Sequence, residues 1–176
     1  MMTVVIMAVF LIGAAALQAA LPVVTWLGQA SVPLLPAVAL YFALHRRAGT
    51  ALVAAFLAGF VQDILSPIHL GYSSACFCAI GLVANRFRTF VIVDSPVTPA
   101  VFGLMAGTLV TPVLYALAVR GAVATYSWDQ VLLKSLGQGV AGMVATPLLF
   151  GLLRIADGLV GNVRAHEDIG EIDWSI

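Results

Sequence analysis

The chain has 176 residues, of which 62% are hydrophobic and only 9% are charged. A soluble domain carries about 25% charged residues, so this composition excludes an ordinary water-facing surface. The eight basic and eight acidic residues cancel, which leaves no net charge that would favour nucleic acid as a partner. We therefore expect an all-α integral membrane protein whose surface mostly contacts lipid.

Six apolar segments of helical length follow one another along the chain. No charged side chain precedes Arg46, but that stretch is too long for one span of about 20 residues, and Pro22 and Gly28 divide it. The predicted helices are 2–21, 31–44, 50–65, 72–84, 97–119 and 135–153. The more polar segment 120–134 is predicted to connect the last two helices. These helices form one predicted transmembrane domain, residues 1–160, and the acidic remainder, 161–176, is predicted to be a flexible cytoplasmic tail.

The basic residues predict how the helices are oriented. With a cytoplasmic N-terminus, six basic residues fall on the cytoplasmic side and two fall on the outer side. The six are Arg46, Arg47, Arg86, Arg88, Arg154 and Arg164, and the two are Arg120 and Lys134. Membrane proteins usually carry such an excess of positive charge on the cytoplasmic side. We predict six transmembrane helices with both termini in the cytoplasm.

Small residues in the last two predicted helices indicate close helix packing. In lipid, helices associate where small residues let the backbones approach each other. Gly103 and Gly107 lie four residues apart in the fifth helix, and Gly139 lies in the sixth. We expect these glycines to pack tightly against another helix.

Asp63 is the only acidic residue within the first three apolar segments. An acidic side chain at membrane depth usually finds a partner. Lys134 begins the sixth predicted helix at the same predicted depth, so we hypothesise an Asp63–Lys134 ion pair. The alternative is a solvated aspartate at the membrane interface.

The sequence contains no recognisable catalytic arrangement. Its three histidines fall in separate connections or in the tail, and no glutamate precedes Glu167. Cys76 and Cys78 are about 200° apart around a helix, so they cannot bridge each other. We predict that the protein is not an enzyme and has no metal or cofactor.

Residues 32–88 resemble the MreD family of bacterial rod shape-determining membrane proteins. The stretch from Pro36 through Tyr41 to the basic residues after Leu44 is similar to a helix of that family. The residues Gly59-Phe60-Val61-Gln62-Asp63-Ile64-Leu65-Ser66 resemble its Gly-x-x-x-Asp-apolar-Leu-Ser signature. Leu70 and Gly71, seven and eight residues after the aspartate, complete the match.

The resemblance implies a non-enzymatic component of the cell-elongation (Rod) complex in the bacterial inner membrane. Such proteins bind the single-span protein MreC, and the resemblance implies that the small-residue stripes receive a partner's helix. Through MreC they help couple MreB filaments to peptidoglycan synthesis by RodA and a penicillin-binding transpeptidase, which maintains rod shape. The implied fold is similar to the six-helix fold of the substrate-binding subunits of energy-coupling-factor transporters.

Such a vitamin transporter subunit is itself the alternative function. Those proteins have a similar length and dock through an Ala-x-x-x-Ala spacing, which occurs twice between Ala15 and Ala20. The outer half of the predicted bundle carries few polar side chains that could bind a vitamin. We therefore favour the elongation-complex interpretation.

Overall fold

The structure, a computed structural model, describes residues 2–21, 31–66, 70–88, 95, 97–120 and 127–159. Within these ranges the protein is entirely α-helical. The helices are α1 (Met2–Ala20), α2 (Leu34–His45), α3 (Ala48–Leu65), α4 (Tyr72–Phe87), α5 (Val97–Arg120) and α6 (Trp128–Leu159). The predicted acidic tail, 161–176, lies outside the described residues.

Helix length divides the six helices into two groups. Helices α1, α3, α5 and α6 are long and apolar enough to cross a membrane. Helix α2 has 12 residues and α4 has 16, both fewer than the roughly 20 of a typical span. The prediction of an all-α protein is confirmed for the described residues, and four of the helices are compatible with membrane spans.

The short helix α2 is the centre of the bundle. Every residue from Leu34 to Leu44 is buried, and α2 contacts each of the other five helices. A helix that is apolar on all sides is stable when other helices enclose it, as here. At 1.5 Å per residue α2 is about 18 Å long, so it is too short to cross a bilayer core of about 30 Å from one face to the other.

Helix α6 is longer at both ends than the sequence predicted. It begins at Trp128 and ends at Leu159, so part of the predicted connection and the six residues after the predicted sixth helix are helical. Asp129 in its first turn is favourable because acidic side chains stabilise a helix N-terminus. Near the other end, Asp157 is buried by contacts with α2, which the local sequence does not reveal.

Helices α5 and α6 form the most extensive helix pair, and the structure places the three predicted packing glycines at their interface. A Cβ added to Gly107 would lie 2.7 Å from the carbonyl carbon of Gln138, and one added to Gly103 would lie 2.8 Å from Cβ of Thr146. A Cβ added to Gly139 would likewise contact α5, at the methyl group of Thr108. This corrects the expectation that the stripes receive a partner's helix, because these glycines are already occupied within the chain.

Candidate functional site

Polar side chains concentrate at the ends of the two short helices, α2 and α4. An α-helix leaves its first four N–H and last four C=O groups without partners inside the helix. Water cannot satisfy them within hydrocarbon, where an unpaired backbone group costs several kcal/mol. In the described part of the chain, side chains of neighbouring helices supply partners at both ends of α2 and at the start of α4.

Gln18 of α1 caps the start of α2. Its side-chain oxygen accepts hydrogen bonds from the backbone N–H groups of Leu34 at 3.2 Å and Leu35 at 3.3 Å. Its amide nitrogen donates to the side-chain oxygen of Gln62 at 2.8 Å, and Gln62 in turn donates to the Ser66 hydroxyl at 3.1 Å. This chain of amides joins α1, α2 and α3 at the level where α2 begins.

Asp63 caps the start of α4 in an arrangement that we call the hairpin cap, formed by Asp63, Gly71, Ser73 and Ser74. The buried carboxylate accepts hydrogen bonds from the backbone N–H of Gly71 at 2.7 Å and of Ser73 at 3.0 Å. The Ser74 hydroxyl lies at 3.5 Å. Gly71 has φ +104°, a left-handed conformation that glycine adopts without a Cβ clash. The negative charge also complements the helix N-terminus.

Gly59 lets α3 approach the same turn of α4. A Cβ at this position would lie 2.5 Å from the backbone nitrogen of Ser74 and 2.7 Å from the carbonyl carbon of Ser73. Gly59 and Asp63 are four residues apart, so they share one face of α3. Gly59 permits the close contact between α3 and α4, and Asp63 accepts hydrogen bonds from the backbone N–H groups at the start of α4.

The ion pair expected between Asp63 and Lys134 is not formed. The Asp63 carboxylate is directed at the N-terminus of α4, and α3 does not pack against α6 in the described ranges. Hydrogen bonds from backbone N–H groups of a neighbouring helix can stabilise a buried carboxylate in place of a basic side chain. The alternative of a solvated aspartate also fails, because Asp63 is 2% exposed.

A second polar cluster lies at the end of the bundle where α2, α4 and α6 finish, which we call the arginine end. There Asp157 of α6 accepts a hydrogen bond from the Tyr41 hydroxyl at 2.7 Å and forms an ion pair with Arg46 at 3.0 Å. The side chains of Arg46 and Asp157 are 16% and 6% exposed. The rings of His45 and Phe150 pack on Tyr41, with centroid distances of 4.3 and 5.2 Å.

Helix α4 caps the last turn of α2 at the arginine end. The Asn85 amide donates to the carbonyl oxygens of Ala43 at 2.6 Å and Arg46 at 3.0 Å. Arg88 also donates to the Arg46 carbonyl, at 2.7 Å. Residue 46 therefore contacts α6 through its side chain and α4 through its backbone.

The residues that carried the sequence resemblance fall in these two clusters and beside them. Gly59, Asp63 and Gly71 form the α3–α4 contact, and Tyr41 reaches Asp157. Pro36 lies in α2, and Leu70 lies in the turn before α4, 67% exposed. Sequence reasoning missed the larger part of both clusters, namely Gln18, Gln62, Asn85 and Asp157. Their only signal was a polar side chain in or beside an apolar segment.

The chemistry of both clusters is that of helix capping and charge neutralisation. Among the described residues, no three His, Cys, Asp or Glu side chains lie together as a metal site would require. The two clusters fix the ends of α2 and α4 relative to α1, α3 and α6.

The fold and these contacts define a helical bundle compatible with a membrane protein, with four helices long enough to span a bilayer. No protein-family model matches the chain, and neither a curated protein nor a solved structure is detectably similar to it.

Proposed function

We propose that this chain is a non-enzymatic membrane scaffold of the bacterial cell-elongation complex, with a role like that of the MreD family. The observation that carries the proposal is the hairpin cap. Gly59, Asp63 and Gly71, which are three of the residues behind the resemblance, meet at a single helix junction. Gly59 allows the close helix contact, Asp63 caps α4, and Gly71 adopts the left-handed conformation of the turn. The three residues of the resemblance therefore belong to a single helix junction.

The proposed topology is six membrane helices with both ends in the cytoplasm of a bacterium, in a fold like that of transporter substrate-binding subunits. Two features support six spans although α2 and α4 are short. Helix α2 is enclosed by protein, and side chains cap both ends of α2 and the start of α4. Backbone ends at membrane depth are tolerated where protein satisfies them.

The distribution of charge supports the direction of insertion. The arginine end contains Arg46, Arg47, Arg86, Arg88 and Arg154. Lys134 lies in the first two turns of α6, towards the opposite end. This asymmetry favours a cytoplasmic arginine end. A reporter fused within residues 89–94 should accordingly report a cytoplasmic location, and a periplasmic signal would contradict the topology.

In this proposal the scaffold acts by lateral recognition in the bilayer. It binds the single-span protein MreC and helps couple MreB filaments to RodA and a penicillin-binding transpeptidase. Because the glycines of α5 and α6 are buried against each other, the partner's helix would contact other faces of the bundle. Because hydrogen bonds and an ion pair hold the helix ends in place, the bundle would present these faces in a constant geometry.

Affinity purification from native membranes tests the proposal. The tagged chain should co-purify with MreC, and an unrelated six-helix membrane protein with the same tag should not. Depletion of the chain should turn rod-shaped cells round. Co-purification with an ATPase and a retained vitamin, detected by mass spectrometry, would instead identify the transporter subunit.

One structural feature bears on that rival function. A crevice between α2 and α4 is lined by Pro36, Ala39, Leu40, Phe77, Ile80 and Gly81 and has a volume of about 10 Å³. Small-molecule sites enclose roughly 300–1,000 Å³ and contain oriented polar groups. This apolar crevice is too small to hold a vitamin.

A further inference from the structure

Helices α5 and α6 extend further towards the outer end of the bundle, opposite the arginine end, than the other helices. A Cβ added to Gly142 of α6 would lie 3.2 Å from Cγ of Pro33, the residue before α2, and one added to Gly103 of α5 would meet Gly142. Both glycines therefore lie level with the start of α2. From Gly142, α6 continues outward to its first residue, Trp128, over about 21 Å at 1.5 Å per residue.

The outer ends of α1, α2, α3 and α4 lie close to one level. Gln18 of α1 is bonded to Leu34 at the start of α2 and to Gln62 of α3. Helix α3 ends at Leu65, about 5 Å beyond Gln62, and Asp63 caps the start of α4. The outer part of α6 therefore has no counterpart in α3 and α4.

Exposed apolar side chains run along the outer part of α6 as a strip. They recur at every fourth position and are 52–67% exposed, namely Leu132, Leu136, Val140, Val144 and Leu148. Residues four apart share one face of a helix, so the strip crosses the level at which α2 begins and continues about 15 Å beyond it. The exposed apolar residues of α3 end with Ile64 and Leu65, where the helix itself ends.

We propose that this chain makes the outer leaflet of the bilayer thinner beside α3 and α4 than beside α6. A bilayer adjusts its local thickness to the apolar length of the protein that it surrounds. The strip on α6 reaches about 10 Å further out than the apolar face of α3, and phospholipid acyl chains are the occupant of both faces. The inference rests on the proposed membrane insertion with a cytoplasmic arginine end, but not on a role in cell elongation.

The arginine end argues against a tilt of the whole bundle as the means of covering both faces. Arg46 forms its ion pair with Asp157 of α6, and Arg88 donates to the carbonyl oxygen of Arg46, so α2, α4 and α6 finish at one level. A tilt that lowered the outer part of α6 into a flat bilayer would raise the end of α4 towards the hydrocarbon. Arg86 and Arg88 would move with it, and charged side chains are costly there.

Fluorescence quenching by brominated phosphatidylcholines tests the proposal. The full-length protein, with Trp26, Trp128 and Trp174 replaced by phenylalanine, would carry a single new tryptophan and be reconstituted in vesicles. The vesicles would contain lipids brominated either near the headgroup or near the end of the acyl chain. Ile64→Trp reports on α3 and Leu136→Trp on α6, because these side chains are 64% and 62% exposed.

The two positions are matched so that a flat bilayer and a thinned one give opposite results. Leu136 lies about 9 Å outward of Gly142, whereas Ile64 lies about 3 Å outward of Gln62. A flat bilayer around an upright bundle would therefore place Leu136→Trp nearer the headgroups. We expect the reverse, with Ile64→Trp quenched about twofold more by the shallow bromines and Leu136→Trp about twofold more by the deep ones. Equal quenching, or the order of the flat bilayer, would overturn the proposal.

A second pair of positions separates local thinning from tilt. Phe87 and Ile155 are 51% and 64% exposed, and both lie within about one turn of the contacts at the arginine end. Phe87→Trp and Ile155→Trp should be quenched alike, by the shallow bromines. Deep quenching of Phe87→Trp would show a tilted bundle and overturn the proposal.

Val140→Trp is a second reporter on α6, for use if Leu136→Trp does not fold, and should also be quenched by the deep bromines. It lies about 3 Å outward of Gly142, as Ile64 does of Gln62, so a flat bilayer would give these two variants equal quenching. The measurement involves neither MreC nor cell shape, so its failure is distinct from a failure of the proposed function.

Discussion

The carboxylate of Asp63 accepts a hydrogen bond from the backbone N–H of Gly71, at 2.7 Å. This bond closes the turn between α3 and α4, and the second oxygen of the carboxylate binds the N–H of Ser73. An aspartate in an apolar segment thus serves as the first hydrogen-bond partner of the next helix. Its role is a cap rather than an interhelical ion pair.

Replacement of Asp63 by alanine should destabilise the protein by about 2 kcal/mol, because the buried N–H of Ser73 and the partly buried N–H of Gly71 lose their carboxylate acceptor. Thermal unfolding in detergent, followed by near-UV circular dichroism, measures the change. Ser73→Ala is the control for packing, since the fully buried Ser73 hydroxyl has no hydrogen-bond partner in the structure. Lys134→Gln should have no effect. A stability loss in Lys134→Gln equal to that of Asp63→Ala would restore the ion-pair hypothesis.

Replacement of Gly59 by alanine should separate α3 from α4. The added Cβ would lie 2.5 Å from the backbone nitrogen of Ser74, and backbone atoms cannot move aside as a flexible side chain can. We expect a loss of about 1–3 kcal/mol, typical of overpacking. Gly49→Ala, in the same helix, has no neighbouring atom within 4 Å of the new Cβ and should be neutral or stabilising by up to about 1 kcal/mol. Similar unfolding midpoints for the two variants would contradict the close contact.

Replacement of Gly107 by alanine should loosen the α5–α6 pair. The new Cβ would meet the backbone of Gln138 and lie 2.8 Å from Cα of Gly139. Gly151→Ala on α6, where nothing lies within 4 Å, provides the comparison. A disulfide between cysteines introduced at facing positions of α5 and α6 should form more slowly in the Gly107 variant. Unchanged cross-linking rates would show that the helices do not pack as described.

Removal of the Asp157 carboxylate should be costly because Arg46 would remain buried without its counter-ion. Breaking a buried pair on one side costs about 3–5 kcal/mol, so Asp157→Leu should be far less stable than the wild type. The double variant Arg46→Met/Asp157→Leu should recover most of this loss, because no unpaired charge remains. Arg47→Met, at the exposed neighbouring position, serves as the control. If the effects of Arg46→Met and Asp157→Leu, each measured alone in unfolding experiments, add up to the effect of the double variant, then Arg46 and Asp157 are not coupled.

The sequence predicted the bounds of α1 and α5 to within one residue and those of the α3–α4 hairpin to within three. The predicted helices 50–65 and 72–84 correspond to Ala48–Leu65 and Tyr72–Phe87. Serine, proline and glycine mark the intervening turn plainly, because their backbone preferences act locally. The length of α6 was underestimated because polar residues such as Asp129 and Asp157 read as loop signals when their tertiary partners are unknown.

The candidate site was predicted only where its members are close in sequence. Gly59, Asp63 and Gly71 lie within 13 residues, so one pattern contains all three. Tyr41 and Asp157 are 116 positions apart, and Gln18 and Gln62 are 44 apart, so no local pattern connects them. Their pairing depends on which helix ends meet in the folded bundle.

Composition and apolar segment length alone determined that this is a helical protein suited to lipid, since a chain with so few charged residues cannot form a water-facing surface. Only the tertiary structure decided that α2 is the enclosed helix, that Asp63 caps α4, and that the glycines of α5 and α6 face each other. The physical reason is that transfer from water to lipid favours burying every apolar helix, but it does not decide which helices meet, because lipid tails are as apolar as a neighbouring helix surface. The arrangement of helices instead follows from backbone approach and from hydrogen bonds at their ends, which join residues far apart in the chain.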